Sequence, residues 1–297
     1  MTQASTIFQA KLATKQAFVV PGVANPLSAL IAADIGFEAL YVTGAGVSNF
    51  NLGVPDIGLI TPNDLFDAVA AIASVTELPL IVDADTGFGN AVNTYHVVRR
   101  LEQAGASAIQ IEDQVFPKKC GHFEGKAVIP AGEMVEKIKA AADGRRHAKT
   151  LIVARTDARA VDGFDAAIER AQHYVEAGAD ILFVEALTSA EEVAAAPRLL
   201  GDVPQIINIV HGGKTPPQSL AALGQAGYQI ALYANAALQS AIMGMQRVLG
   251  SLYDTGSLAD VGDLLAGFGE RQRLVKKPFY DALEARFAVV TGAAERL

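Results

Sequence analysis

Tryptophan is absent from this 297-residue chain, and cysteine occurs once, at position 120. A single cysteine excludes an internal disulfide, so the framework demands no oxidising compartment. Also missing is any run near the roughly 18 consecutive apolar residues of a membrane span. The opening Met1-Thr2-Gln3-Ala4-Ser5 has no basic segment followed by an apolar stretch, so no secretory signal is expected. Positive charge is short as well. Twenty-four Lys and Arg face 32 Asp and Glu, and the net charge of −8 argues against a nucleic-acid surface, because phosphate binding needs a positive field. The one basic cluster, Arg145-Arg146-His147-Ala148-Lys149, reads as a solvated helix end or loop. These absences leave a soluble, cytoplasmic protein as the expectation, with neither membrane nor nucleic acid as partner. What is present in quantity is apolar: 51% hydrophobic residues against 19% charged, ample for a large core.

One unit recurs along the chain: a short apolar run, a polar turn, then a stretch rich in Ala, Glu and Leu. After a helix expected over 3–16, the apolar runs are Phe18-Val19-Val20, Ala39-Leu40-Tyr41-Val42, Leu80-Ile81-Val82, Ala108-Ile109-Gln110-Ile111, Leu151-Ile152-Val153-Ala154, Ile181-Leu182-Phe183-Val184, Gln205-Ile206-Ile207-Asn208-Ile209 and Gln229-Ile230-Ala231-Leu232-Tyr233. Runs that are continuously apolar rather than alternating imply strands buried on both faces, as in a parallel sheet covered by helices. Thr61-Pro62 and Thr215-Pro216 each place a cap residue before a first-turn proline. Gly36, Gly105, Gly178 and Gly227 follow helical stretches as stops, each just ahead of the next strand. Eight such units with short joints predict a closed (β/α)8 barrel over residues 1–250, more naturally than an open doubly wound sheet. Residues 251–297 read as a helical extension, a cap or an oligomer contact.

In a parallel barrel the site lies at the carboxyl ends of the strands. There stand Thr43, Gly44, Ala45 and, further along, Asp56; then Asp83 and Asp85; Glu112 and Asp113; Arg155; Glu185; Asn208 and His211. Acids converging from several strands are costly to bury unless a cation or bound protons compensate, and carboxylates suit a hard divalent ion. An arginine among them suits a substrate carboxylate. Cys120 lies between two lysines and a histidine, Lys118-Lys119-Cys120-Gly121-His122, where positive neighbours favour the thiolate and equip the thiol for acid–base work. The bland alternative, a small packing residue, fits those flanks poorly. Of the histidines, His122 is favoured for its place beside Cys120 and His211 for its strand end, whereas His96, His147 and His173 read as surface or packing groups. Tyr41 is open to catalysis or to the core. Gly44-Ala45-Gly46 followed by Asp64 is a weak dinucleotide match: the third glycine is missing, and Asp64 opens a helix.

Asp83-Ala84-Asp85-Thr86-Gly87-Phe88-Gly89, Ile111-Glu112-Asp113-Gln114, Lys118-Lys119-Cys120-Gly121-His122 and Ala154-Arg155-Thr156-Asp157-Ala158 together resemble the isocitrate lyase/phosphoenolpyruvate mutase superfamily. More narrowly, they are similar to its short bacterial lyases, the 2-methylisocitrate lyase and 2,3-dimethylmalate lyase/oxaloacetate hydrolase group. The resemblance implies a (β/α)8 TIM-type barrel, Mg²⁺ (or Mn²⁺), and a homotetramer whose C-terminal helices are exchanged between subunits. By motif position, Asp83 would ligate the metal, with Asp56, Asp85 and Glu112 supporting it mostly through water. Thr43, Gly44 and Ala45 would hold substrate oxygens, Arg155, Glu185 and Asn208 would complete the pocket, and Gly121 with His122 would reach the substrate from a loop. His211 and the stretch Tyr233-Ala234-Asn235-Ala236 depart from the lyase pattern and leave the substrate open, with His211 and Asn235 as candidate specificity residues. The implied reaction cleaves a 2-hydroxy di- or tricarboxylate to a 2-oxo acid and a carboxylic acid. Tyr41 or a metal-linked carboxylate would take the hydroxyl proton, and Cys120 would protonate the enolate carbon. Rival expectations are oxaloacetate hydrolysis, a mutase-type reaction at phosphorus, and an inert 2-oxo-acid binding module.

Overall fold

The computed structural model describes residues 3–119, 121 and 125–288. Eight parallel strands close into a barrel: β1 (Phe18–Val23), β2 (Leu40–Val42), β3 (Leu80–Asp83), β4 (Ala108–Glu112), β5 (Leu151–Thr156), β6 (Ile181–Val184), β7 (Gln205–Asn208) and β8 (Ile230–Tyr233). Neighbours in sequence are neighbours in space, and β8 returns to pair with β1, Val20 opposite Leu232. Each strand falls on one of the apolar runs. Their lack of alternation has a direct cause, since both faces are packed. One set of side chains, including Val20, Tyr41, Ile81, Val153, Phe183 and Ile206, fills the barrel interior. The other, including Leu40, Val82, Ile109, Ile152 and Leu182, packs outward with residues of the surrounding helices.

The helix Gln3–Ala13 belongs to the inner core. Phe8 and Leu12 are buried with the β1 residues Phe18 and Val20, and the Phe8 and Phe18 rings meet edge to face at 6.4 Å. The helix Pro62–Ala73 is capped as its sequence predicts: the Thr61 hydroxyl accepts from the Asp64 amide while the Asp64 carboxylate accepts from the Thr61 amide. That pairing accounts for Asp64 and disposes of a ribose-binding role. Gly36, Gly105, Gly178 and Gly227 all adopt positive φ (103°, 118°, 109° and 112°) at their helix ends. Thr215-Pro216 is a correction. No helix begins there; Ser219 caps the helix Leu220–Ala226 instead. A second proline, Pro217, bars Pro216 from helical backbone, so the start is delayed past both.

The chain divides into two compact units, Met1–Ala241 and Ile242–Leu297, with the division inside the helix Ala236–Thr255. The second unit continues through the helices Phe268–Leu274 and Lys277–Phe287. It leaves Tyr253, Phe268, Phe279, Tyr280 and Phe287 exposed. Among the described residues no helix is long and apolar enough to cross a membrane.

Candidate active site

The carboxyl ends of the strands surround one polar cavity. Tyr41 on β2, Thr43 and Ala45 just after it, Asp83 on β3, Glu112 on β4, Arg155 on β5, Glu185 after β6, Asn208 on β7 and Asn235 after β8 all face it. A larger cavity, ≈ 110 Å³ against ≈ 30 Å³, lies at the opposite end of the barrel. Its one acid, Glu102, is already taken up by the amides of Arg146 and His147 and by the Thr150 hydroxyl, so it offers no comparable chemistry.

Strand pleating decides which of the strand-end acids enter. On β4, Gln110 and Glu112 point inward, while Ile109 and Ile111 join the outer core. Asp113 continues the outward set. It accepts hydrogen bonds from the Thr156 hydroxyl (2.7 Å), the Tyr174 hydroxyl (2.7 Å) and the Asp157 amide (2.9 Å), which makes it a structural acid. The adjacent Glu112 is the one in the cavity.

Charge in the cavity is arranged around two buried cations. Lys118 reaches in from the loop after β4 to pair with Asp56 and, at 2.9 Å, with Asp85. Burial pushes the Asp85 carboxyl up to about 7, with the Asp83 and Asp56 charges adding to the effect and Lys118 opposing it. Burial likewise drives Glu112 well above the usual carboxylate range, against the pull of Arg155. Lys118 is desolvated too, but Asp85, Asp56, Glu112 and Asp83 outweigh that cost and hold its ammonium charged. Arg155 grips Asp157 with two N–H groups (2.9 and 3.1 Å) and lies 3.4 Å from both Glu112 and Glu185, its guanidinium over the Phe183 ring. Two of its five donors are thereby committed, and the group still lines the cavity.

Asp157 is held from a third side by Lys126 at 2.6 Å. Burial alone would raise its carboxyl; Arg155 and Lys126 overcome that and bring it down to about 2. A carboxyl depressed in the folded state stabilises the protein fully above its unfolded value and loses that contribution as pH falls through the folded one. Wild type is therefore expected to exceed Asp157→Asn in stability by a margin that shrinks by about 2 kcal/mol between pH 5 and pH 2. Denaturant titrations of both proteins across that range measure the margin, and a constant difference would contradict the assignment.

The loop after β4 is fastened at several points. The Gln114 side chain pairs with the backbone of Lys119 in both directions (2.8 and 3.0 Å), and Lys126 donates to the Gly121 carbonyl at 2.6 Å. Gly121 lies so close to the floor that a Cβ there would stand 2.5 Å from Arg155 Nη2 and 2.8 Å from Glu185. Only glycine fits. Gly44 is similarly placed against the acids: its Cβ position is 3.2 Å from Asp85 Oδ1 and 3.3 Å from Asp83 Oδ2.

The strand-end residues expected to meet do so, with exceptions. His211 is exposed and is not among the residues that line the cavity; its carbonyl accepts from Gln239. Cys120 and His122 lie outside the described residues, although Lys119 and Gly121, on either side of the thiol in sequence, both line the cavity. Tyr41 is fully buried and donates its hydroxyl hydrogen to Gln110 Oε1 at 2.9 Å; burial and the nearby Asp83 charge raise its phenol well above the ordinary value. Missing from the expected set were Lys118, as an ion-pair partner inside the cavity, and Gln110.

The donor set fits a hydrated hard cation. Apart from the Lys118 ion pair neither oxygen of Asp85 accepts a hydrogen bond, and neither does Glu112 Oε1. Among the described residues no three His, Cys, Asp or Glu side chains converge as a complete cage. Mg²⁺ needs none, since it usually keeps several waters and takes one or two carboxylates.

Residues 8–253 match the family model described as phosphoenolpyruvate phosphomutase. The 2-methylisocitrate lyase of Aeropyrum pernix is 47% identical over 284 residues, covering 94% of this chain and 88% of that protein. The 2,3-dimethylmalate lyase of Eubacterium barkeri is 42% identical over 261 residues, 87% of this chain and 89% of that one. A solved phosphonopyruvate hydrolase in complex with oxalate and Mg²⁺ superposes with a TM-score of 0.87 at 31% identity, over 97% of this chain and 99% of the other.

Proposed function

Since this chain belongs to the phosphoenolpyruvate mutase/isocitrate lyase superfamily and is a carbon–carbon lyase of it, we propose that it cleaves a 2-hydroxy acid bearing further carboxylates, with Mg²⁺ as cofactor. The products are a 2-oxo acid and a carboxylic acid. The observation that carries this reading is the meeting of buried acids, Lys118 and Arg155 in one cavity beneath the loop that bears the lone thiol.

Asp83 would hold the metal, with Asp56, Asp85 and Glu112 supporting it through water; Glu112 Oε1 and Asp85 Oδ2 supply unused acceptors for such waters. When bound there, Mg²⁺ would acidify the substrate hydroxyl and offset the charge of the adjacent carboxylate. Arg155 faces a substrate carboxylate, and Asn208 and Asn235, each with a buried Oδ1 that lacks a partner, take donors from the substrate or its water. The hydroxyl proton passes to a carboxylate of the cluster and not to Tyr41, whose own hydrogen is committed to Gln110. As the carbon–carbon bond breaks, the hydroxyl oxygen becomes a carbonyl, and the bonding pair moves onto the carbon next to the departing carboxylate. The Cys120 thiol delivers a proton to that carbon, completing the carboxylic acid and leaving a thiolate among basic neighbours. The phosphonopyruvate hydrolase complex with oxalate and Mg²⁺ supports a metal and a small oxo-acid in a cavity of this fold. A homotetramer formed by exchange of C-terminal helices would cover the apolar side chains the second unit leaves exposed.

The deciding experiment is a set of Mg²⁺-supplemented assays over 2-methylisocitrate, isocitrate, 2,3-dimethylmalate and oxaloacetate, scored for 2-oxo acid and for oxalate. Release of a 2-oxo acid from one of the first three, abolished by EDTA, is expected. Oxalate from oxaloacetate alone would replace the reading with a hydrolase, and tight oxalate binding without any turnover would replace it with a binding module.

A further inference from the structure

Outside the residues that line the cavity, a glutamine interrupts the apolar side chains of the barrel interior. Gln110 stands in the middle of β4, opposite Asp83 in the β3–β4 register, and is wholly buried. Burying an amide among Val, Ile and Phe side chains is costly unless its hydrogen bonds are made. Here both ends are used: Nε2 donates to Asp83 Oδ1 at 3.0 Å, and Oε1 accepts from the Tyr41 hydroxyl at 2.9 Å.

The direction of this relay follows from the groups themselves. A carboxylate only accepts, so the NH₂ end must face Asp83; the carbonyl end must then face Tyr41, and the single phenolic hydrogen must point at it. Turning the amide over would set oxygen against oxygen at Asp83 and leave the Tyr41 hydrogen free for the cavity. We propose that Gln110 is a positioning residue that orients the Asp83 carboxylate and fixes the polarity of Tyr41, so that the Tyr41 oxygen presents only lone pairs to the cavity and cannot donate to the ketone oxygen of a 2-oxo acid. Asp83 Oδ1 is occupied by Gln110 and by the Asp85 amide (3.2 Å), and Oδ2 is left beside Gly44. The inference rests on the metal-dependent lyase reading and adds to it a residue that touches neither metal nor substrate.

Mn²⁺ affinity, measured from the free-ion EPR signal without turnover, separates positioning from packing. Gln110→Met preserves length and volume but makes neither hydrogen bond; it is expected to weaken Mn²⁺ binding about 10- to 100-fold while melting as a folded protein. Tyr41→Phe keeps the Gln110–Asp83 bond and is expected to bind Mn²⁺ like wild type. At saturating Mn²⁺, the preference for lactate over pyruvate as an inhibitor is expected to fall about 3- to 10-fold in Gln110→Met, because the freed phenol can then donate to a ketone. Wild-type affinity in Gln110→Met, an equal loss in Tyr41→Phe, or an unchanged lactate preference each overturns the proposal. Should Gln110→Met not fold, Gln110→Asn, whose amide falls short of both partners, is read the same way. A wild-type chain that binds no Mn²⁺ sinks the metal reading and this inference together, whereas equal binding by wild type and Gln110→Met sinks this inference alone.

Discussion

Cys120→Ser is expected to lower turnover by roughly 100- to 10 000-fold while leaving Mn²⁺ binding and thermal stability as they are. Serine matches the shape of cysteine, but its hydroxyl is a far weaker acid than a thiol with basic neighbours, so it cannot return a proton to a carbanion at a useful rate. The loss should fall on kcat and not on KM, because Arg155, assigned to carboxylate binding, and Asn208, which takes a donor from the substrate or its water, are untouched. A sharper readout isolates the step. Wild type incubated with its carboxylic-acid product, 2-oxo acid and Mg²⁺ in D₂O should exchange the product's hydrogen next to the carboxylate, followed by NMR, and Cys120→Ser should not. Exchange at the wild-type rate would show that another group moves that proton.

The barrel was legible because its strands carry no alternation, and only burial on both faces permits eight such runs in one chain. The site was legible for a related reason: polar residues at the ends of such runs have few places to go except the mouth of the barrel. What could not be read was which way a side chain turns. Glu112 and Asp113 are adjacent and chemically alike, yet the pleat sends one into the cavity and the other to Tyr174 and Thr156. Gln110 was counted only as part of an apolar run; its role depends on Tyr41 and Asp83, both distant in sequence. Lys118 was read as a neighbour that favours the thiolate, whereas the structure turns its ammonium toward Asp56 and Asp85. His211 sits at a strand end as expected, but the turn that follows β7 carries it to the surface.

Lys118→Met is expected to produce the largest change in metal-free stability, together with an unusual response to magnesium. Lys118 is an internal cation paired with Asp56 and Asp85 at the centre of the acid cluster. Removing one partner of a buried ion pair leaves uncompensated charge and costs about 3–5 kcal/mol, equivalent to roughly 10 °C in melting temperature for a chain of this size. Part of the loss is recovered by protonation, because burial already holds Asp85 near 7 and the loss of Lys118 pushes it higher. The sign follows directly. A carboxyl raised in the folded state binds protons that the unfolded chain has released, so stability falls as pH rises through that interval, and the variant should be weaker at pH 8 than at pH 5 relative to wild type. A divalent cation supplies the missing positive charge, so Mg²⁺ should raise the melting temperature of Lys118→Met by more than it raises that of wild type. Melting curves of both proteins in EDTA and in Mg²⁺, at both pH values, test every part of this. If Mg²⁺ lifts the two proteins equally, the cation does not bind among Asp56, Asp83, Asp85 and Glu112, and the magnesium reading of the cavity fails even if the lyase activity stands.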